Sequence, residues 1–264
     1  MKNSFKLILL MLALILALSL FASCAPEVPD EGTEAPTSAD GITTDAPETE
    51  APESGDFTLV SGGAGACKLV RPSELVTEDM PVKVAIEIRK FINNLTGISV
   101  DLGDDWVKDG VSFDRDSTEI LIGDTDYPET AEVMESITYG QYAVRAVGKK
   151  IVVFSFTDNG YTRAMTELQS LIHKNAVKND DGSYTVTIPA DELNIIGTAE
   201  KMTATLPIFK SGKFSSITDM GDGCYGVIIK ETTEDAYTAY LEVLKKAGYN
   251  AYAENETSGS KFAT

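Results

Sequence analysis

Apolar and polar positions alternate along residues 57–196 in short blocks that switch repeatedly between a strand period and a helix period. Phe57 to Val60 and Cys67 to Val70 read as short strands around a Gly-rich turn. A helix is predicted from about Glu78 to Thr96: Ile88, Phe91, Ile92 and Leu95 fall at i, i+3, i+4 and i+7, and Gly97 is placed to end it. Ile98 to Leu102 and the run Glu119-Ile120-Leu121-Ile122-Gly123 predict strands, with a weaker helix near Thr130 to Ile137. Tyr142 to Val147 and Ile151 to Phe156 predict a hairpin around Gly148-Lys149-Lys150. The clearest helix spans about Gly160 to His173, where Tyr161, Ala164, Met165, Leu168, Leu171 and Ile172 keep the helical period. A hairpin strand from Ser183 to Pro189 follows the turn Asn179-Asp180-Asp181-Gly182. These elements predict an α+β fold, a mixed sheet with helices packed mainly on one face as a two-layer sandwich.

After about Glu200 a second, partial α+β unit is expected. Lys213 to Ile217 and Cys224 to Ile229 suggest strands, and Thr232-Thr233-Glu234-Asp235 resembles a capping box. The helix it opens runs to about Ala247, with Tyr237, Tyr240, Leu241 and Leu244 on one face and Gly248 closing it. Asn250 to Ala253 starts a strand, and no further element is predicted before Thr264. A β-α-β piece with one helix struggles to bury its own sheet face, so residues 201–264 read as part of a larger unit, and the chain as the front of a longer protein.

The first 56 residues have another pattern. Lys2 and Lys6 precede an almost unbroken apolar run from Leu7 to Leu20, and Ala22-Ser23-Cys24 follows. These are the physical parts of a secretory signal. The sixteen residues Leu7 to Ala22 rise roughly 24 Å as a helix, short of about 30 Å of hydrocarbon. Leu20-Phe21-Ala22-Ser23-Cys24 resembles the lipobox of bacterial lipoproteins, although Phe21 stands where that family most often has Leu. The resemblance implies a signal peptide of residues 1–23, a lipid on Cys24 and a place on the extracellular face of the cell membrane. Cleavage near Ala25, which would discard Cys24, is disfavoured by Pro26.

Residues 24–56 predict a disordered tether. From Ala25 to Asp56 there are ten acids and five prolines with no Lys, Arg or aromatic residue. Such a segment buries too little apolar surface to offset its ordering entropy, and like charges extend it. The remaining 208 residues hold a domain expected at 57–200 and the partial unit at 201–264. The formal charge of −19 argues against a nucleic-acid partner, which needs clustered Lys and Arg. Lys149-Lys150 and Lys245-Lys246 read as a turn and a helix end.

The strand, the long helix ending in Leu95-Thr96-Gly97, the strand Glu119-Ile120-Leu121-Ile122-Gly123-Asp124-Thr125, the hairpin and the helix with Thr162-Arg163-Ala164-Met165-Thr166-Glu167-Leu168 carry a resemblance. From about Phe57 to Ile196 the chain looks like the non-catalytic N-terminal α/β domain that precedes the barrel in glycoside hydrolases such as α-glucuronidases and β-hexosaminidases. In those families the domain holds no catalytic residue. The resemblance therefore implies glycan handling or scaffolding by a surface-tethered module. The alternative is the front part of a secreted glycan-active hydrolase, whose barrel needs about 250 further residues. A solute-binding lipoprotein is a third reading, though such proteins usually have two lobes on a longer chain.

Candidate chemistry is sparse. His173, the single histidine, lies at a helix end that favours a cation and has no predicted catalytic partner; no catalytic residue is assigned. Gly62-Gly63-Ala64-Gly65-Ala66-Cys67-Lys68 lacks the Lys-Ser/Thr end of a P-loop and precedes no immediate helix, so it reads as a flexible loop. The acids Asp101, Asp104, Asp105, Asp109, Asp114, Asp116, Asp124 and Asp126 fit no EF-hand spacing, read as solvated loop acids and assign no metal. No cofactor motif is present. Cys67 and Cys224 are far apart in the chain and read as unpaired. Trp106, after Asp104-Asp105, is the residue best suited to stack on a sugar, against the alternative of an aromatic covering the core edge. Tyr142, Tyr161, Tyr237 and Tyr240 read as packing.

Overall fold

The structure, a computed structural model, describes residues 55–108, 111–250, 254–257 and 260–263. Cys24, the signal segment and the tether lie outside them. The described residues of 55–218 and those from Tyr225 onward form one compact unit.

The centre is a six-stranded mixed sheet. In chain order its strands are β3 (Lys68–Arg71), β4 (Asp101–Asp104), β5 (Glu119–Ile122), β6 (Gln141–Val147), β7 (Lys150–Ser155) and β10 (Asn194–Thr198). They lie side by side as β10-β6-β7-β5-β3-β4. β4, β3, β5 and β7 run parallel, whereas β6 pairs antiparallel with both β7 and β10. A smaller antiparallel sheet has the order β2-β1-β9-β8, from β1 (Phe57–Ser61), β2 (Ala64–Gly65), β8 (Ala176–Lys178) and β9 (Tyr184–Ile188).

Strand periodicity sends alternate side chains to opposite faces, and here both faces are covered. Leu69, Ile120, Ile122, Ile151 and Val153 point to one core, while Val70, Leu121, Val152 and Phe154 point to the other. That is why β5 and β7 are buried along their whole length. The first face carries the two long helices, α1 (Met80–Thr96) through Val84, Ala85, Ile88 and Ile92, and α3 (Asp158–Lys174) through Tyr161, Ala164, Leu168 and Ile172. Phe57, Leu59, Val186 and Ile188 of the small sheet share that core. The opposite face carries α2 (Pro128–Ser136), with Val133 buried, and receives Phe214, Ile217, Val227 and Ile229 from the two-stranded sheet of β11 (Lys213–Gly221) and β12 (Cys224–Lys230). The protein is thus an α+β fold with helices packed against a mixed sheet.

Local signals set the helix ends. Gly97 takes a left-handed φ of 76° and its N–H donates to Asn93 O at 2.8 Å, closing α1. The Thr157 hydroxyl accepts from Gly160 N at 3.1 Å, and Thr233 caps α4 (Glu234–Lys246) through Ala236 N at 3.2 Å.

Several expectations change. β1 and the Cys67 segment do not pair with each other; they enter different sheets. The Gly62-Gly63 stretch is a tight hairpin turn with φ of 54° and 79°, joining Ser61 to Ala64, rather than a loop. β4 begins at Asp101, because Val100 is buried as core without entering the parallel ladder. β10 carries little local signal: Asn194-Ile195-Ile196-Gly197-Thr198 is a half-buried edge strand with only two consecutive apolar residues. At the end of the chain β13 (Glu254–Thr257) pairs with β14 (Ser260–Ala263), a hairpin where no last element was expected, and 251–253 of the expected strand lie outside the described residues.

The buried acids of weak strength make one condition dependence predictable. Burial pushes the Cys67 thiol up to about 12, with Asp101 adding to it. Burial likewise raises the hydroxyls of Tyr127, Tyr139, Tyr142, Tyr161 and Tyr240. Unfolded, these groups lose protons from about pH 8.5 for Cys and about pH 10 for Tyr. Above that range the unfolded state binds fewer protons than the folded one, so this stability is full below about pH 8.5 and is lost as pH rises. The urea midpoint should therefore fall steadily from about pH 8.5 to about pH 11, with tyrosinate absorbance developing on unfolding. A flat midpoint across that range would contradict it.

Candidate functional site

Open sheets with parallel strands place ligands outside the carboxyl ends, where neighbouring strands send their connections to opposite faces. Here that point lies between β3 and β5. β3 leads through α1 on the first face, and β5 leads through α2 on the second. The segments meeting there are Arg71, the last residue of β3, with Pro72-Ser73-Glu74 after it, Asp105-Trp106 after β4 and Gly123-Asp124-Thr125-Asp126 after β5.

Asp105 ties the three together. It is 2% exposed, its Oδ1 accepts from Ser73 N at 2.8 Å, and its Oδ2 accepts from Asp126 N at 3.0 Å. Its own N–H donates to Arg71 O at 3.0 Å. One carboxylate thus joins three strand ends through charge-assisted bonds to backbone. This corrects its reading as a solvated loop acid. A carboxylate flanked by Asp104 and Trp106 gives no local pattern by which to foresee this; the register of three strands creates the role.

Arg71 stiffens the same edge. Its Nη1 donates to Pro72 O at 2.7 Å and Leu75 O at 3.3 Å, and its Nη2 lies 3.8 Å from Asp104 Oδ2. Gly123 turns the chain at φ 98°, and a Cβ there would stand 2.9 Å from Pro81 Cβ. Only glycine fits both the left-handed backbone and that approach. Burial of the Asp124 carboxyl raises its pKa despite the opposing charge of Lys213, and Glu74, Asp126 and Asp105 raise it further. The rim is therefore acidic, with one solvent-facing aromatic: Trp106 is 69% exposed, so it does not cover the core edge. Val107, Val111 and Val76, on the segments leaving β4 and β3, are exposed too.

The other candidate residues fall elsewhere. Asp101 opens β4 at its far end, and Asp114 Oδ1 accepts from Asp116 N at 2.9 Å and Ser117 N at 3.3 Å in a local turn. Asp109 lies outside the described residues. Among the described residues no three His, Cys, Asp or Glu side chains converge as a metal site. His173 is exposed in the last turn of α3. Cys67 and Cys224 are both free thiols. Tyr142 and Tyr161 are buried packing residues, while Tyr237 and Tyr240 are half-buried.

Lys150 departs furthest from its reading as part of a turn. It is wholly buried, with Nζ 2.7 Å from Glu119 Oε2. Nζ also donates to Asp114 O at 2.6 Å and Ser117 O at 2.8 Å. The parallel register that sets Glu119 opposite Lys150 brings the pair together. The signal available in the sequence was a charged residue directly preceding each of two apolar runs, Glu119 before Ile120 and Lys150 before Ile151.

Among the described residues no helix is long and apolar enough to cross a membrane. No protein-family model matches the chain, and no curated protein matches it.

Proposed function

We propose that this protein is a lipoprotein held at the extracellular face of the membrane through Cys24, whose folded part is a non-catalytic module that handles extracellular glycan with Trp106 as its contact. The observation that carries the glycan reading is an indole 69% exposed at the carboxyl ends of the parallel strands, beside Asp104. An indole face offers a flat apolar surface to the C–H face of a sugar ring, and neighbouring carboxylates accept from sugar hydroxyls. The supports around it are rigid, since Asp105 and Arg71 fix the backbone on either side. Such a site recognises without cleaving, and its role is to bring the tethered domain to polysaccharide or to organise partners on it.

The protein reports on this site directly, because Trp106 is its one tryptophan. Titration with a panel of oligosaccharides should shift or quench its emission saturably for at least one glycan. Trp106→Ala, immobilised on the same glycan array, should bind that glycan about tenfold more weakly, as expected for loss of about 1.4 kcal/mol of ring contact. Unchanged emission across the panel, or an alanine variant that binds as well as wild type, would remove Trp106 from the function.

A further inference from the structure

The second half of α1 and the start of β4 border a groove of about 320 Å³ whose lining differs from the rest of this acidic protein. Ile86 and Leu102 give it apolar contacts, and Arg89, Lys90, Asn93 and Asn94 supply its polar groups. Arg89 is held at one end only. Its Nε donates to Ser99 Oγ at 3.2 Å and to Val100 O at 3.0 Å, which aligns the guanidinium along the strand entry. Its Nη1 and Nη2 make no hydrogen bond or ion pair among the described residues, leaving the outer edge of the fork open. The side-chain amides of Asn93 and Asn94 are likewise without protein partners there. Lys90 is balanced by Glu87 at 2.7 Å, so the uncompensated cation in the groove is Arg89.

We propose that this groove binds a small ligand carrying an oxyanion on a hydroxylated body, as in a sugar acid or a sugar phosphate. An arginine fork fixed by Nε presents two parallel N–H donors to carboxylate or phosphate, with little ordering left to do. Carboxamides both donate and accept, which suits hydroxyl groups, and Ile86 and Leu102 contact the carbon body. The negative end of the α1 dipole and the net charge of −19 both oppose an anion here. Binding therefore depends on Arg89. The site stands on residues other than Trp106 and is independent of the glycan reading.

The test is calorimetric titration of the full chain with glucuronate, with a hexose phosphate and with uncharged glucose. At least one of the two anions should bind saturably and weaken with added salt, with glucose about tenfold weaker or more. Which anion binds identifies the source. Arg89→Gln should abolish the signal, and Arg89→Lys, which keeps the charge but not the fork, should weaken it several-fold. Asn93→Ala, which leaves the Arg89 anchor in place, should weaken binding without changing the thermal melt. Trp106→Ala should bind the anion as wild type does. No heat from either anion, equal binding of glucose, wild-type affinity in Arg89→Gln, or loss of anion binding in Trp106→Ala would each overturn the groove as the site.

Discussion

Lys150→Met should lower folding stability by about 3–5 kcal/mol, read as a drop in urea midpoint at unchanged slope. The loss arises because Glu119, with a side chain only 6% exposed, is left buried without its partner at 2.7 Å. Two loop carbonyls, Asp114 O and Ser117 O, lose their donor at the same time. Those carbonyls belong to the segment before β5, which is also docked by Phe113, whose ring lies tilted against that of Tyr127 with centroids 4.1 Å apart. The Lys150 ammonium stands 5.8 Å from the Tyr127 ring, so the clamp and the ring pair share one neighbourhood. Against total stabilities of about 5–15 kcal/mol for a domain, such a loss is a large part of the whole. A Lys150→Met, Glu119→Met double variant should recover much of it, since an apolar pair of similar volume often replaces a buried ion pair at little cost. The recovery should be incomplete, because the two carbonyls remain unpaired at about 1–3 kcal/mol each when buried. A single variant within about 1 kcal/mol of wild type would show that water reaches Glu119 and that the pair is not the clamp described.

Cys24→Ala should abolish metabolic labelling by fatty acid and move the protein from the membrane fraction to the soluble one. The proposal behind this rests on residues 1–56 alone. The apolar run is too short to span, and the acidic tether has no basic residue with which to hold an anionic membrane surface. A lipid on Cys24 is then the sole anchor the proposal supplies, and one substitution removes it whole. The expected contrast is therefore wild type in the membrane fraction and the variant in the soluble one. Equal labelling of the two proteins would eliminate the anchor and, with it, the surface-tether reading.

Much of the architecture was legible from local pattern. The apolar stripe Ile88, Ile92 and Leu95 with Gly97 marked α1, the period from Tyr161 to Ile172 marked α3, and the Gly148 turn marked the β6–β7 hairpin. These features depend on neighbours within a turn or two, which the sequence displays directly. Which strands would meet was not legible. Nothing in Phe57 to Val70 states that β1 joins β9, 129 residues away at Thr58–Thr187, while β3 joins β4 and β5 in parallel.

The same division holds for the candidate sites. The sequence by itself determined the acidic, proline-rich composition of residues 24–56, the periods of the main helices and strands, and Trp106 as an aromatic in a polar stretch. The tertiary structure alone decided that Trp106 faces solvent, that Asp105 is an internal staple, that Lys150 is a buried cation and that Arg89 is pinned at Nε above an open groove. Periodicity and composition are properties of a segment, fixed by covalent neighbours. The environment of a charged side chain is set by strand register and by which layer covers it, and those follow from contacts between segments that the chain brings together only on folding.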